Sequence, residues 1–148
     1  MIKPRALRPG DRIALISPAS PFARDAFDRG VTELARIGFD YVCVSSGGAV
    51  PQQRIEVVPG YQVPFAAKVK RGAPIAVRAV GMIADPQQAE EIVASGRADM
   101  VALARGFLDD PRWVWHAAER LGAQAAYPPQ YARSRPALWP GAKLARPA

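Results

Sequence analysis

Four apolar runs alternate with four amphipathic ones, and this alternation limits the fold more than any other feature of the chain. "RIALISPAS" (12–20), "DYVCVSS" (40–46), "PIAVRAVG" (74–81) and "ADMVALARG" (98–106) are short, aliphatic and bounded by Ser, Gly or Pro. Continuous hydrophobicity of this kind suits strands buried on both faces, which means a parallel sheet. After the first run, residues 21–39 set Phe22, Ala26, Phe27, Val31, Leu34 and Ala35 near one helical face, with Gly38 as the stop. "YQVPFAAKVKRG" (61–72) repeats the pattern through Val63, Ala66, Ala67 and Val69, with Pro64 confined to the first turn. In "DPQQAEEIVASG" Asp85 is the N-cap, Pro86 the first helical residue, and Gly96 follows the end. Asp110 and Pro111 open a fourth helix carrying Val114, His116, Ala117, Ala118 and Leu121, ending at Gly122. Strand, helix, strand with short links makes right-handed βαβ units.

The expected fold class is therefore α/β: about four parallel βα units, with residues 1–122 as one structural domain. From residue 123 onward, "AAYPPQYARSRPALWPGAKLARPA" shows no sustained period. It reads as an irregular, extended C-terminal tail that orders only by docking. A closed (β/α)₈ barrel takes ~250 residues, so a chain of 148 cannot complete one. Two architectures remain open. One is an open, flavodoxin-like sheet with helices on both faces. The other is a partial TIM barrel that pairs with a second copy, making a homo-oligomer. Either leaves strand edges that invite association.

Some function classes drop out. No window approaches the ~18 consecutive apolar residues of a membrane span, and "MIKPRALRPGD" lacks the apolar core of a signal peptide. No membrane partner is expected, and the default location is cytoplasmic. Cys43 is the single cysteine, so no internal disulfide forms; in "YVCVSS" it reads as a small buried hydrophobe. Net charge is +7, from 20 basic and 13 acidic residues. The basic residues are scattered, without the interleaved aromatics of a nucleic-acid surface, so no nucleic acid is expected. A phosphate-bearing small molecule would suit the charge.

Ligands of parallel α/β folds bind beyond the carboxyl ends of the strands. Those ends read "SSGG" (45–48), "VGMI" (80–83) and "LARGF" (103–107). Gly81 lets backbone amides approach a phosphate closely, because glycine has no Cβ. Ala104 leaves room, and Arg105 supplies a permanent charge on a forked donor. Together they make a candidate phosphate cup. The plain alternative is a turn glycine and a solvated arginine.

"DYVCVSSGG", "PGYQVPFAAKVKR", "AVGMI", "QAEEIVASGRADMVALARGFLDDPRW" and "PPQYARSR" occur in that order over residues 40–133. The region resembles the C-terminal part of the old yellow enzyme family, flavin-dependent ene-reductases and NADPH dehydrogenases. The resemblance implies the last three strands of a TIM barrel, with the FMN phosphate held by the loops after the last two. On that basis Gly81, Ala104 and Arg105 fall on phosphate-binding positions, Ala104 standing where many members carry glycine. Arg133, in "QYAR", falls on an arginine that in one subgroup reaches the neighbouring subunit's active site; that motif is usually Q-Y-E-R, and here Ala132 replaces the acid. A tail arginine is the alternative for Arg133. The resemblance also places the proton-donating tyrosine, the substrate-holding histidine or asparagine pair and the contacts to the flavin ring on early strands that would precede residue 40. His116, the only histidine, is not cast as a catalytic acid.

Residues 3–39, "KPRALRPGDRIALISPASPF" followed by "FDRGVTELARIGF", resemble instead the N-terminus of the LD-carboxypeptidase family of serine peptidases. The chain thus reads as a chimera with its joint near residues 38–41: a βα unit of one family (1–39), βα units of the other (40–122), and the tail (123–148). Ser17 and Ser20 are turn or cap residues, since no base accompanies them. Three functions follow. The first is an FMN-binding, NADPH-dependent oxidoreductase-family fragment with impaired or no catalysis alone. The second is a non-catalytic recombined α/β domain that binds a phosphate ligand weakly. The third, disfavoured by the absent triad, is a peptidase.

Overall fold

The computed structural model describes residues 16–17, 24–46, 52 and 54–145. The chain resolves into two compact units, Met1–Pro111 and Arg112–Ala148. Strand β1 is described at Ile16–Ser17; the rest of the expected first strand, with Ser20 and Phe22, lies outside the described residues. Then follow α1 (Arg24–Arg36), β2 (Tyr41–Ser46), α2 (Val63–Gly72), β3 (Ala76–Ala79), α3 (Pro86–Ala94), β4 (Met100–Val101) and α4 (Arg105–Asp109). The four strands are parallel and lie in the order β1-β2-β3-β4. A doubly wound sheet reverses its order at a switch point; this one does not. Right-handed crossovers that all step the same way put their helices on one face, which is the winding of a barrel segment. The α/β expectation holds, and the unreversed strand order is consistent with its partial-barrel form.

Alternation along the strands divides the sheet into two faces. Val42 and Val77 are register partners, and with Ala79 they are buried against α2. From α2 come Val63, Ala66, Ala67 and Val69, the four residues its periodicity singled out. Ala66 and Ala79 are wholly enclosed, and their small side chains let the helix sit close to the sheet. Ile92 of α3 is 1 % exposed and extends the core beside β4. Each such valine or isoleucine contributes about 1.5–3 kcal/mol by leaving water. The other face carries a register row of Cys43, Arg78 and Met100. Here Arg78 lies over the Tyr41 ring, 5.0 Å from its centroid. A hydrogen bond to Cys43 raises the Arg78 pKa, against the opposing pull of burial. Cys43 is thus partly buried beside a cation, a more polar setting than its apolar flanks announce.

Helix ends follow local chemistry. After α1, the Gly38 amide donates to the Ala35 carbonyl and that of Phe39 to Leu34, a Schellman stop with Gly38 at φ +89°. The same bond pair ends α3 at Gly96 and the fourth long helix at Gly122. Asp85 accepts from the Gln88 amide at 2.9 Å, with Pro86 opening α3 as its position requires. On α1, Val31 is buried but Ala26 is exposed, so the apolar stripe is narrower than its periodicity implied.

Several expected elements are shorter than read: β3 covers Ala76–Ala79 of the expected 74–81. β4 covers only Met100–Val101, and Arg105 opens the one-turn helix α4 instead of closing the strand. Within the second unit, α5 spans Trp113–Arg120 with Arg112 as its N-cap, so Asp110 and Pro111 precede the helix. The tail docks on α5. Trp115 stacks on Tyr127 at 4.3 Å and meets Tyr131 at 5.5 Å. Arg112 lies 5.7 Å from both the Trp115 and Tyr131 rings, and the Tyr127 hydroxyl donates to Glu119. A 3-10 helix (Pro129–Ser134) and α6 (Ala142–Ala145) are its regular pieces.

Candidate functional site

β3 and β4 are neighbours, paired Arg78 to Met100 and Ala79 to Val101. The Ala102 amide carries the ladder one step further by donating to the Ala79 carbonyl at 2.9 Å. Gly81 comes two residues after β3 ends, and Ala104 three residues after β4 ends. Parallel adjacency places both turns side by side at the carboxyl edge of the sheet. Gly81, Ala104 and Arg105 therefore share one edge of one unit. Arg133 sits in the 3-10 helix of the other unit, where it is exposed. His116 is in α5, also in that unit.

The β3 turn has a special backbone. Gly81 has φ +106°, and Met82, which is not glycine, has φ +52°. Left-handed conformation at a methionine costs about 1–2 kcal/mol and persists only where the surroundings enforce it. The enforcing contacts come from the turn before α2. The Gly60 amide donates to the Gly81 carbonyl at 2.9 Å. An added Cβ on Gly81 would lie 2.9 Å from Gln62 Cγ, 3.1 Å from Gln62 Cβ and 3.1 Å from Tyr61 Cε1. Gln62 is 5 % exposed, a polar residue enclosed by the fold. Its Oε1 accepts the Ser46 amide at 2.6 Å, and its Nε2 bonds the Tyr61 hydroxyl at 2.7 Å. The ends of β2 and β3 are thereby bolted to the start of α2. Sequence reasoning passed over Gln62, Tyr61 and Met82, because nothing in the pattern marks a glutamine as buried or a methionine as left-handed.

The β4 turn is open. Ala104 is the N-cap of α4 and has no side-chain oxygen to cap it. Ala104 and Arg105 are both exposed. Among the described residues, no backbone carbonyl or side chain accepts from the amides of Gly81, Met82, Arg105 or Gly106. Amide donors and a guanidinium on one edge are what an anion site requires. Just before β4, Asp99 ties that strand to β3 and to α2. Its carboxylate accepts the Val77 amide at 2.7 Å and Lys70 Nζ at 2.5 Å. The lysine bond, then the amide, hold the Asp99 pKa below its ordinary value of 3.8. Elsewhere, a shallow depression lined by Asp25, Asp28, Arg29, Thr32 and Glu33 follows α1 alone, and Arg29 and Thr32 there donate to Asp25 and to the Asp28 carbonyl. Among the described residues no group of three or more His, Cys, Asp or Glu is placed to hold a metal, and no helix is long and apolar enough to cross a membrane.

Comparison with known proteins bears on this edge. The NADPH dehydrogenase of Geobacillus thermodenitrificans is 48% identical over 103 residues, covering 70% of this chain and 30% of its own. That of Geobacillus sp. (strain WCH70) is 51% identical over 96 residues, 65% of this chain and 28% of its own. That of Bacillus subtilis is 41% identical over 120 residues, 75% and 35% respectively. The chain thus spans about a third or less of these relatives' length. The model of the NADH:flavin oxidoreductase / NADH oxidase family matches residues 18–124, from within the first βα unit, across the expected joint near 38–41, to the end of α5. Because that match spans most of the chain, the protein belongs to the NADH:flavin oxidoreductase / NADH oxidase family.

Proposed function

We propose that this chain is the phosphate-holding segment of an FMN-dependent oxidoreductase of the old yellow enzyme type, with little or no turnover on its own. The observation that carries the reading is the adjacency of the Gly81 and Arg105 turns on paired strands. FMN ends in a phosphate dianion. The Gly81 and Met82 amides and the Arg105 amide and guanidinium would hold it, with Ala104 keeping the approach clear. The crowding around Gly81 supports the reading, since Gln62 and Tyr61 occupy the space a Cβ would need and so fix the turn that carries the two amides. When bound, the flavin supplies two-electron redox chemistry. This chain's residues contribute the grip: fixed dipoles and a charge that neutralise the phosphate and set its position.

The relatives are named NADPH dehydrogenases, and the chain spans about 30% of the length of the first of them. The ring-binding and proton-donating residues implied by the family resemblance would lie on strands before residue 40. Turnover would therefore need those strands, from a longer chain or a partner. Arg133, presented by the 3-10 helix, is retained as a candidate for contact with a neighbouring subunit, and a homo-oligomer belongs to the same reading. The proposed origin of residues 3–39 in another family also belongs here. The parallel pairing of β1 with β2, Ile16 to Ser45 and Ser17 to Ser46, is compatible with such a unit, whereas the family match from residue 18 crosses the expected joint and leaves only residues 3–17 of that stretch outside it. The alternative is a non-catalytic domain that binds a phosphate ligand weakly.

Titration with FMN, followed by flavin fluorescence, tests the grip. Loss of the Arg105 contact in Arg105→Ala should weaken FMN about tenfold or more, as a charge-assisted hydrogen bond is worth about 1.5–3 kcal/mol. Equal affinity in the two proteins would move the phosphate away from this cup. Bleaching of bound flavin by NADPH would separate a working oxidoreductase from a binding remnant.

A further inference from the structure

We infer that Gln62 is a positioning residue that presets the Met82 amide as an anion donor; the inference rests on the phosphate cup proposed above. A trans peptide points its C=O and N–H in opposite directions, and the described chain has no cis peptide. The Gly81 carbonyl is committed to the Gly60 amide at 2.9 Å. The N–H of the same peptide plane, that of Met82, is therefore turned away from the α2 entry turn. What holds the plane there is the packing of Gln62 and Tyr61 on Gly81, where a Cβ would lie 2.9–3.1 Å from them.

Gln62 cannot drift, because both ends of its amide are used. Ser46 N–H donates to Oε1 at 2.6 Å and Nε2 bonds the Tyr61 hydroxyl at 2.7 Å. The carbonyl of Gln62 meanwhile accepts from the Phe65 and Ala66 amides, fixing its backbone to the first turn of α2. The strained φ of +52° at Met82 is the mark of a plane held by its neighbours. A neutral glutamide suits the task. It spans β2, α2 and β3 without placing a negative charge beside the anion.

The test is an amide-resolved NMR titration of the whole chain with inorganic phosphate. In the native protein the Met82 amide and the Arg105 Nε–H should both shift on one binding curve. Gln62→Met keeps the side chain's length and removes both hydrogen bonds; it should lose the Met82 response and weaken phosphate about tenfold, while Arg105 still responds. Should that variant fail to fold by circular dichroism, Tyr61→Phe removes only the hydroxyl and should weaken phosphate about threefold with a smaller Met82 shift. A variant that folds and keeps the native Met82 shift and affinity overturns the inference. So does a native protein in which Arg105 responds and Met82 does not, the cup surviving without this donor. A native protein in which neither responds removes the cup itself.

Discussion

Replacing Gly81 by alanine puts the β3 turn under the most direct strain the structure allows. The new Cβ would meet Gln62 Cγ at 2.9 Å and Tyr61 Cε1 at 3.1 Å. Gln62 Cβ and Cγ are the root of a pinned side chain, so they cannot swing aside. Overpacking of this kind costs about 1–3 kcal/mol. Alanine at φ +106° adds a further penalty of about 1–3 kcal/mol. The sum, about 2–6 kcal/mol, is a large part of the 5–15 kcal/mol typical of a domain. Urea unfolding followed by far-ultraviolet circular dichroism should show the midpoint fall by roughly 1–3 M. Gly30→Ala is the matched control. Gly30 lies within α1, where an added Cβ meets nothing within 4 Å. That exchange should instead stabilise by about 0.5–1 kcal/mol. If Gly81→Ala unfolds at the native midpoint, the close approach of Gln62 and Tyr61 to this turn is wrong, and the reasoning about the Met82 amide falls with it.

Two further outcomes follow from the supporting contacts. The Asp99 pKa is lowered, first by Lys70 and then by the Val77 amide. A depressed carboxylate stabilises above its unfolded pKa and loses that contribution as pH falls through the lower folded value. The acid limb of the stability curve should thus begin below about pH 4; Asp99→Asn should cost about 0.5–1 kcal/mol at pH 7, since a third of each partner's side chain meets solvent, and should flatten that limb in pH-dependent urea melts. In the second unit, Trp115→Ala removes the ring on which Tyr127 and Tyr131 lean. It should cost about 2 kcal/mol, and limited proteolysis should then cut beyond residue 123 much faster; unchanged cleavage would show that the tail is held by something else.

Burial made much of this fold legible. The α2 stripe of Val63, Ala66, Ala67 and Val69 reads correctly because a helix must hide a face every 3.6 residues, and it hides that one. Asp85, Gly38 and Gly96 read correctly because capping is local chemistry. "ADMVALARG" misled because a short apolar run does not distinguish a strand from a strand that turns into a helix after Ala104. The register of Gly81 beside the β4 turn was within reach from the βα alternation alone. Gln62 was not, since a buried polar residue shows itself only through partners 16 residues away, such as Ser46. The tail lacked a period because its regular pieces are a 3-10 helix and one short turn of α-helix, and its Tyr127 and Tyr131 rings lean on Trp115 instead of forming a stripe.

The most direct measurement is a crystal structure of the whole chain with FMN. One phosphate lying within hydrogen-bonding distance of both the Gly81–Met82 amides and the Arg105 guanidinium is the expected result. A phosphate seated anywhere else, or turns whose donors diverge from it, would contradict the account at its base.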